Sequence, residues 1–273
     1  MAEPALNLQR LDDQHHFLLR KLHSLSGIVP IGAFLFEHLL TNSRAFGWFG
    51  LFNGGPEAFN EDVLWIHNLP YLLVMEIGLI FLPLAFHALY GIKIARSAER
   101  NVASYPYMAN KRYGLQRLTG YVAFGFLIIH LMKFRFAHLV GLTEHSFLDP
   151  ALPDKFALTQ QGLMHWNLWG IAVPAWFTLT IYVVGLAAAV YHFANGIWSF
   201  CVSWGITVGE KAQKAVGMFA TAVGLVLFLW GSVSLYAFAT TDHVSGNPPT
   251  TVTGNSEMAS SDEETESGLR DAD

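Results

Sequence analysis

Four histidines of this chain, His38, His87, His130 and His192, each stand in a different long apolar block, where an imidazole is poorly solvated. Neutral imidazole is the metal-ligating form, so hydrocarbon surroundings favour ligation rather than oppose it. Around two of them the sequence rhymes. "FHALYGIK" at 86–93 and "YHFANGIW" at 191–198 each set an aromatic residue before the histidine and a glycine four residues after it. Residues four apart share a helix face, so Gly91 and Gly196 are expected beside His87 and His192, where a flat ligand can approach the backbone. Pro83, four residues before His87, is expected to kink its helix and open space. "LHSLSG" at 22–27 and "LQRLTG" at 115–120 form a second rhyme, followed 11 and 10 residues later by His38 and His130.

The elements that must position these groups are membrane helices. The chain has 273 residues, 52% hydrophobic and 14% charged. Its apolar residues bunch into five blocks, about 22–40, 69–95, 115–134, 168–201 and 215–239, most of them about the length that crosses a bilayer. Glycine and proline inside them are tolerated in membrane helices. The fold class is an all-α integral membrane bundle of five transmembrane helices, with one membrane domain at 21–241. The segment 1–20 is too polar for a cleavable signal peptide and is expected in the cytoplasm. The tail 242–273 carries eight Asp/Glu against Arg270 alone and is expected to be disordered and solvated. A single cysteine, Cys201, excludes a disulfide framework and a covalent Cys-x-x-Cys-His haem site.

Charge sets the direction of the helices. With the N-terminus inside, eleven Lys/Arg lie in inner segments and five in outer ones, which makes the N-terminus cytoplasmic and the C-terminus external. Depth then follows from the helical rise. His38 lies 17 residues beyond Lys21 and His130 13 beyond Arg117, about 25 and 20 Å along outward-running helices. His87 lies six residues, about 9 Å, before Lys93 on an inward-running helix, and His192 is late in another. Two histidines are therefore outer and two inner.

Two matched pairs suit two bis-histidine haems, each porphyrin leaving two axial positions for imidazoles from facing helices. A lone histidine on an apolar helix is more often a hydrogen-bonded structural residue, but four, one per helix at two depths, favour ligation. A di-iron carboxylate centre lacks its Glu-x-x-His pairs. A haem-free transporter with a histidine proton relay is the alternative from another class.

Four stretches carry a family resemblance: "RKLHSLSGIVPIGAFLFEHL", "EIGLIFLPLAFHALYGI", "LQRLTG" with His130 following, and "YHFANGIWSFCVSWGITV". Across about 17–240 the chain resembles the di-haem cytochrome b membrane anchor of succinate dehydrogenases and fumarate reductases. It is most similar to the five-helix, single-polypeptide, menaquinone-reactive type. The resemblance implies two haems b as cofactors. His38 and His130 would ligate an outer, lower-potential haem, and His87 and His192 an inner, higher-potential one. It also implies a flavoprotein and an iron–sulfur subunit as partners. The setting would be a bacterial cytoplasmic (inner) membrane, with electrons passing through the inner and then the outer haem to menaquinone. No flavin or iron–sulfur motif occurs, so the chain would not oxidise succinate by itself, and no partner is a nucleic acid. A quinol:fumarate reductase would run the same path backwards. The absence of any acid at 171–201 leans towards succinate oxidation.

Glu37 and Glu76 are acids within apolar spans, and a membrane carboxylate is a functional candidate by default. Both fall in outer halves, where quinone reduction needs protons, so both are candidate quinone or proton groups. Either acid could equally pair with a neighbour. His67, at the mouth of the second helix, is a weaker candidate. Arg117 and His23 lie inside the matching stretches and are candidate haem-binding residues; Arg20, Ser24 and Lys93 could serve haem carboxylates or subunit docking. Trp48, Trp65, Trp166 and Trp169 read as an outer interfacial belt.

Overall fold

The computed structural model describes residues 3–47, 53–97, 108–143 and 146–243. Trp48 and most of the acidic tail lie outside them. Among the described residues five helices are long and apolar enough to cross a membrane: I, His15–Ser43; II, Leu72–Ser97; III, Lys111–Arg135; IV, Ala175–Ser203; and V, Glu210–Thr240. Large apolar side chains such as Leu79, Leu118, Val184 and Leu225 stand exposed on the bundle's exterior, the inverse of a water-soluble helix surface.

Span IV packs against III and V; the first half of span I packs on II and IV, and its second half on V. Small residues allow these approaches, as is usual between membrane helices. Gly185 of IV faces the Phe126 ring of III, and Gly231 of V faces Leu186 of IV.

Three spans are not regular α-helices. Span I is interrupted at Val29, ahead of Pro30. Span II carries a π-helical stretch, Glu76–Phe81, just before Pro83. A wider turn relieves the contact between a proline ring and the carbonyl four residues back. The distortion expected from Pro83 therefore falls on the turn before it. Span III ends in a second π stretch, Leu131–Arg135, directly after His130.

The fourth apolar block begins differently from the expectation. Asn167–Leu168 pairs with Ile171–Ala172 in an antiparallel hairpin, turned by Trp169 and Gly170 at φ 48° and 92°. The span proper starts at Ala175, after Pro174, because proline suits a helix start rather than its interior. Two short helices, Pro56–His67 and Lys155–Met164, pack together as a cap on the end that the charge asymmetry makes the outer one, with Phe59, Phe156 and Phe238 buried between them and span V. Asp154 caps the second helix by accepting from Ala157 N at 3.0 Å, and it pairs with His243 Nε2 at 2.8 Å. These hydrogen bonds outweigh burial and hold the Asp154 carboxyl below the usual range. Lys155 is fully buried and donates to the Phe147 and Asp149 carbonyls at 2.7 and 2.8 Å.

Candidate functional site

A cavity of about 800 Å³ runs through the bundle, and His38, His87, His130 and His192 all line it. Its walls are mainly apolar, and Arg20, His23 and Arg117 stand at one end. The helices bring the histidines together in the pairs that depth predicts. The rings of His87 and His192 have centroids 6.1 Å apart at 89°, and those of His38 and His130 are 5.7 Å apart at 82°.

The His87–His192 pair, the inner one by the sequence reading, is built by one device used twice. His87 Nδ1 lies 2.9 Å from the His23 carbonyl of span I, and His192 Nδ1 lies 3.0 Å from the Gln116 carbonyl of span III. A carbonyl only accepts, so each Nδ1 donates, and Nε2 keeps the lone pair that ligates a metal. Four residues after each carbonyl comes a glycine. A Cβ on Gly27 would stand 2.5 Å from His87 Cε1, and one on Gly120 would stand 2.9 Å from His192 Cε1. The second sequence rhyme thus has a physical reason: each LxxLxG glycine gives passage to a histidine from another helix. Gly196, by contrast, meets nothing closer than 3.8 Å, while a Cβ on Gly91 would meet His23 at 3.0 Å. Both still line the cavity.

A polar chain secures the His192 side. Arg112 Nε donates to Asn195 Oδ1 at 3.0 Å, Asn195 Nδ2 to Gln116 Oε1 at 2.8 Å, and Gln116 Nε2 to the His192 carbonyl at 3.0 Å. Asn195 is buried, and the Arg112 guanidinium lies 4.2 Å from the Trp198 ring centroid. The sequence offered a weak signal for this in a glutamine and an asparagine inside apolar spans.

The His38–His130 pair, the outer one by the same reading, has no such lock. His130 Nδ1 is buried without a hydrogen-bond partner, and the rings of Phe126, Phe134 and Tyr182 surround His130 with centroids 5.5–5.9 Å away.

These sites fit a bis-imidazole haem. A metal–imidazole bond is about 2 Å long, so rings on either side of one metal atom need centroids roughly 6 Å apart. Among the described residues no group of three or more His, Cys, Asp or Glu could hold a metal. A metal at either pair therefore needs its remaining donors from a cofactor, as a porphyrin supplies.

The other candidates divide. His23 stacks on His87 with centroids 4.1 Å apart, and its buried Nδ1 has no hydrogen-bond partner. The Arg117 guanidinium lies 4.2 Å from the Tyr113 ring centroid. Glu76 is partly buried and accepts from Arg135 Nη2 at 2.9 Å, so the two π-helical stretches are joined by an ion pair. Glu37 is exposed, accepts from Thr41 at 2.8 Å and stays outside the cavity. Burial, with Lys155 beside it, lowers His67 to about 4 and keeps it neutral at pH 7.

Over 228 residues the chain is 35% identical to the succinate dehydrogenase cytochrome b558 subunit of Bacillus subtilis (strain 168), covering 84% of this chain and all of that protein. No family model matches the chain.

Proposed function

The chain belongs to the succinate dehydrogenase cytochrome b subunit family, and from that premise we propose that it binds two haems b and links the iron–sulfur subunit to menaquinone. As a family member it is a multi-pass membrane electron-transport subunit, associated with the flavoprotein and iron–sulfur subunits of the complex. His87 and His192 hold the inner haem and His38 and His130 the outer one, in a bacterial cytoplasmic membrane with the N-terminus inside. The lack of any acid at 171–201 supports the succinate-oxidising direction. The observation that carries the two-haem reading is the two imidazole pairs facing each other across one cavity, 6.1 and 5.7 Å apart.

Each haem, when bound, supplies a one-electron carrier. The chain does the rest. The His23 and Gln116 carbonyls keep Nδ1 protonated and aim Nε2 of His87 and His192 into the cavity. Apolar walls exclude water and keep the imidazoles neutral. At the inner end Arg20, His23 and Arg117 supply donors for haem carboxylates. At the outer end Glu76, paired with Arg135, is the candidate proton-handling group for the quinone. Glu37 is a weaker one, since it faces outwards.

Ligand replacement tests this. His192→Ala in the assembled complex should remove one haem and keep the other, and His130→Ala should remove the other one. Two unperturbed haems in both variants would overturn the assignment.

A further inference from the structure

Beside His130, three buried donors meet that find no acceptor among the described residues. Lys133, in the π-helical stretch after His130, is 5% exposed, yet its Nζ has no hydrogen-bond partner. The amine lies 4.2 Å from the Trp166 ring centroid and 5.4 Å from that of Tyr182. Trp166 Nε1 and Tyr182 Oη are themselves buried without hydrogen-bond partners, and Tyr182 is 6% exposed. Val173 N donates to the Trp166 carbonyl at 2.8 Å, so the hairpin of Asn167–Leu168 and Ile171–Ala172 fixes the residue that covers the lysine. The nearby acid Glu76 gives its Oε2 to Arg135.

Ring faces offset part of the cost of burying an amine, but they give no lone pair in line with its N–H groups. Lysine and tryptophan only donate, and the tyrosine hydroxyl can donate as well. A site of three donors selects a group with oxygen lone pairs and negative or partial negative charge. Tyr182 and Phe134 line the outer end of the central cavity, and the Tyr182 and His130 ring centroids are 5.9 Å apart. Tyr182 therefore borders the space that the outer pair faces, with the Lys133 amine 5.4 Å from its ring centroid.

We propose that Lys133, Trp166 and Tyr182 form a donor site for an oxygen acceptor at the outer imidazole pair. That oxygen belongs either to a carboxylate of the outer haem or to a carbonyl of the quinone. The inference rests on the two-haem reading. Failure of that reading would already show in the unaltered complex, as a haem ratio other than two.

The test uses the intact complex with Lys133→Met, which keeps length and apolar bulk. Two quantities are compared with the unaltered complex: the outer-haem midpoint potential, by optical redox titration, and the dissociation constant of a redox-inert naphthoquinone analogue. Loss of a charge-assisted hydrogen bond should change the affected equilibrium about tenfold, and Lys133→Arg should restore most of it. A lower outer potential with unchanged analogue binding identifies the haem carboxylate. Weaker analogue binding at unchanged potential identifies the quinone. If both quantities stay put and only thermal stability falls, Lys133 merely anchors the hairpin and the proposal is overturned. If Lys133→Met does not assemble, Tyr182→Phe should move one of the two quantities in the same direction by a smaller amount; no movement there overturns it equally.

Discussion

The two imidazole pairs have similar ring geometry but opposite surroundings. The inner pair sits on regular α-helix, with each Nδ1 donating to a carbonyl of another span and a glycine giving each ring its passage. In the outer pair His130 stands directly before a π-helical stretch, and its Nδ1 has no hydrogen-bond partner. Its neighbours are a buried lysine and an ion pair that joins the π-helical stretches. π distortions frequently mark functional sites because their backbone differs from the surrounding helix. A locked pair suits a carrier that receives electrons from a fixed partner subunit. A less constrained pair suits the end where a diffusible quinone must come and go.

The largest effect expected from this contrast separates the two ends. His192→Ala should abolish succinate-driven reduction of the remaining haem, whereas His38→Ala should leave the inner haem reducible by succinate and stop quinone turnover. Identical behaviour of the two variants would erase the distinction. Next comes the glycine passage. Gly27→Leu and Gly120→Leu should each lose inner haem while keeping the outer one, since overpacking costs roughly 1–3 kcal/mol; haem content by optical spectrum checks it.

Smaller effects refine the comparison. Gln116→Leu leaves the buried Asn195 amide without its acceptor, a cost of about 1–3 kcal/mol. Because the Gln116 backbone carbonyl still holds His192 Nδ1, the inner haem should stay bound but be released at lower temperature than in the unaltered chain. Glu76→Gln should slow quinone turnover several-fold with both haems intact, because it breaks the Arg135 ion pair at the outer end alone; unchanged turnover would make the pair structural.

The smallest effect concerns the outer cap. Asp154 has its carboxyl value depressed in the folded chain. The stability it contributes is full above the ordinary carboxylate value, about 4, and is lost as pH falls through the depressed folded value. Protection of the helix Lys155–Met164 against hydrogen exchange, taken relative to the intrinsic rate at each pH, should therefore fall in acid, and Asp154→Asn should remove that dependence.

Much of this was legible because membrane helices advertise themselves. Apolar blocks located all five spans, and charge asymmetry with the 1.5 Å rise grouped His38 with His130 and His87 with His192 before any contact was known. What stayed hidden depends on contacts between helices. The LxxLxG rhyme was visible, but Gly27 acts on a histidine 60 residues away and Gly120 on one 72 away, and nothing local marks such a partnership. In the sequence Lys133 is one more positive charge at the end of the third apolar block, whereas in the fold the hairpin at 167–172 sets Trp166 over it. The cap helices Pro56–His67 and Lys155–Met164 leave no such mark, because neither belongs to an apolar block.

The most direct measurement is the ratio of haem b to polypeptide in the purified, unaltered complex, from its reduced-minus-oxidised spectrum and a protein assay. Two haems per chain, one of them reducible by succinate without quinone turnover, is the predicted result. A ratio of one or none would contradict the central claim that both facing imidazole pairs hold a haem.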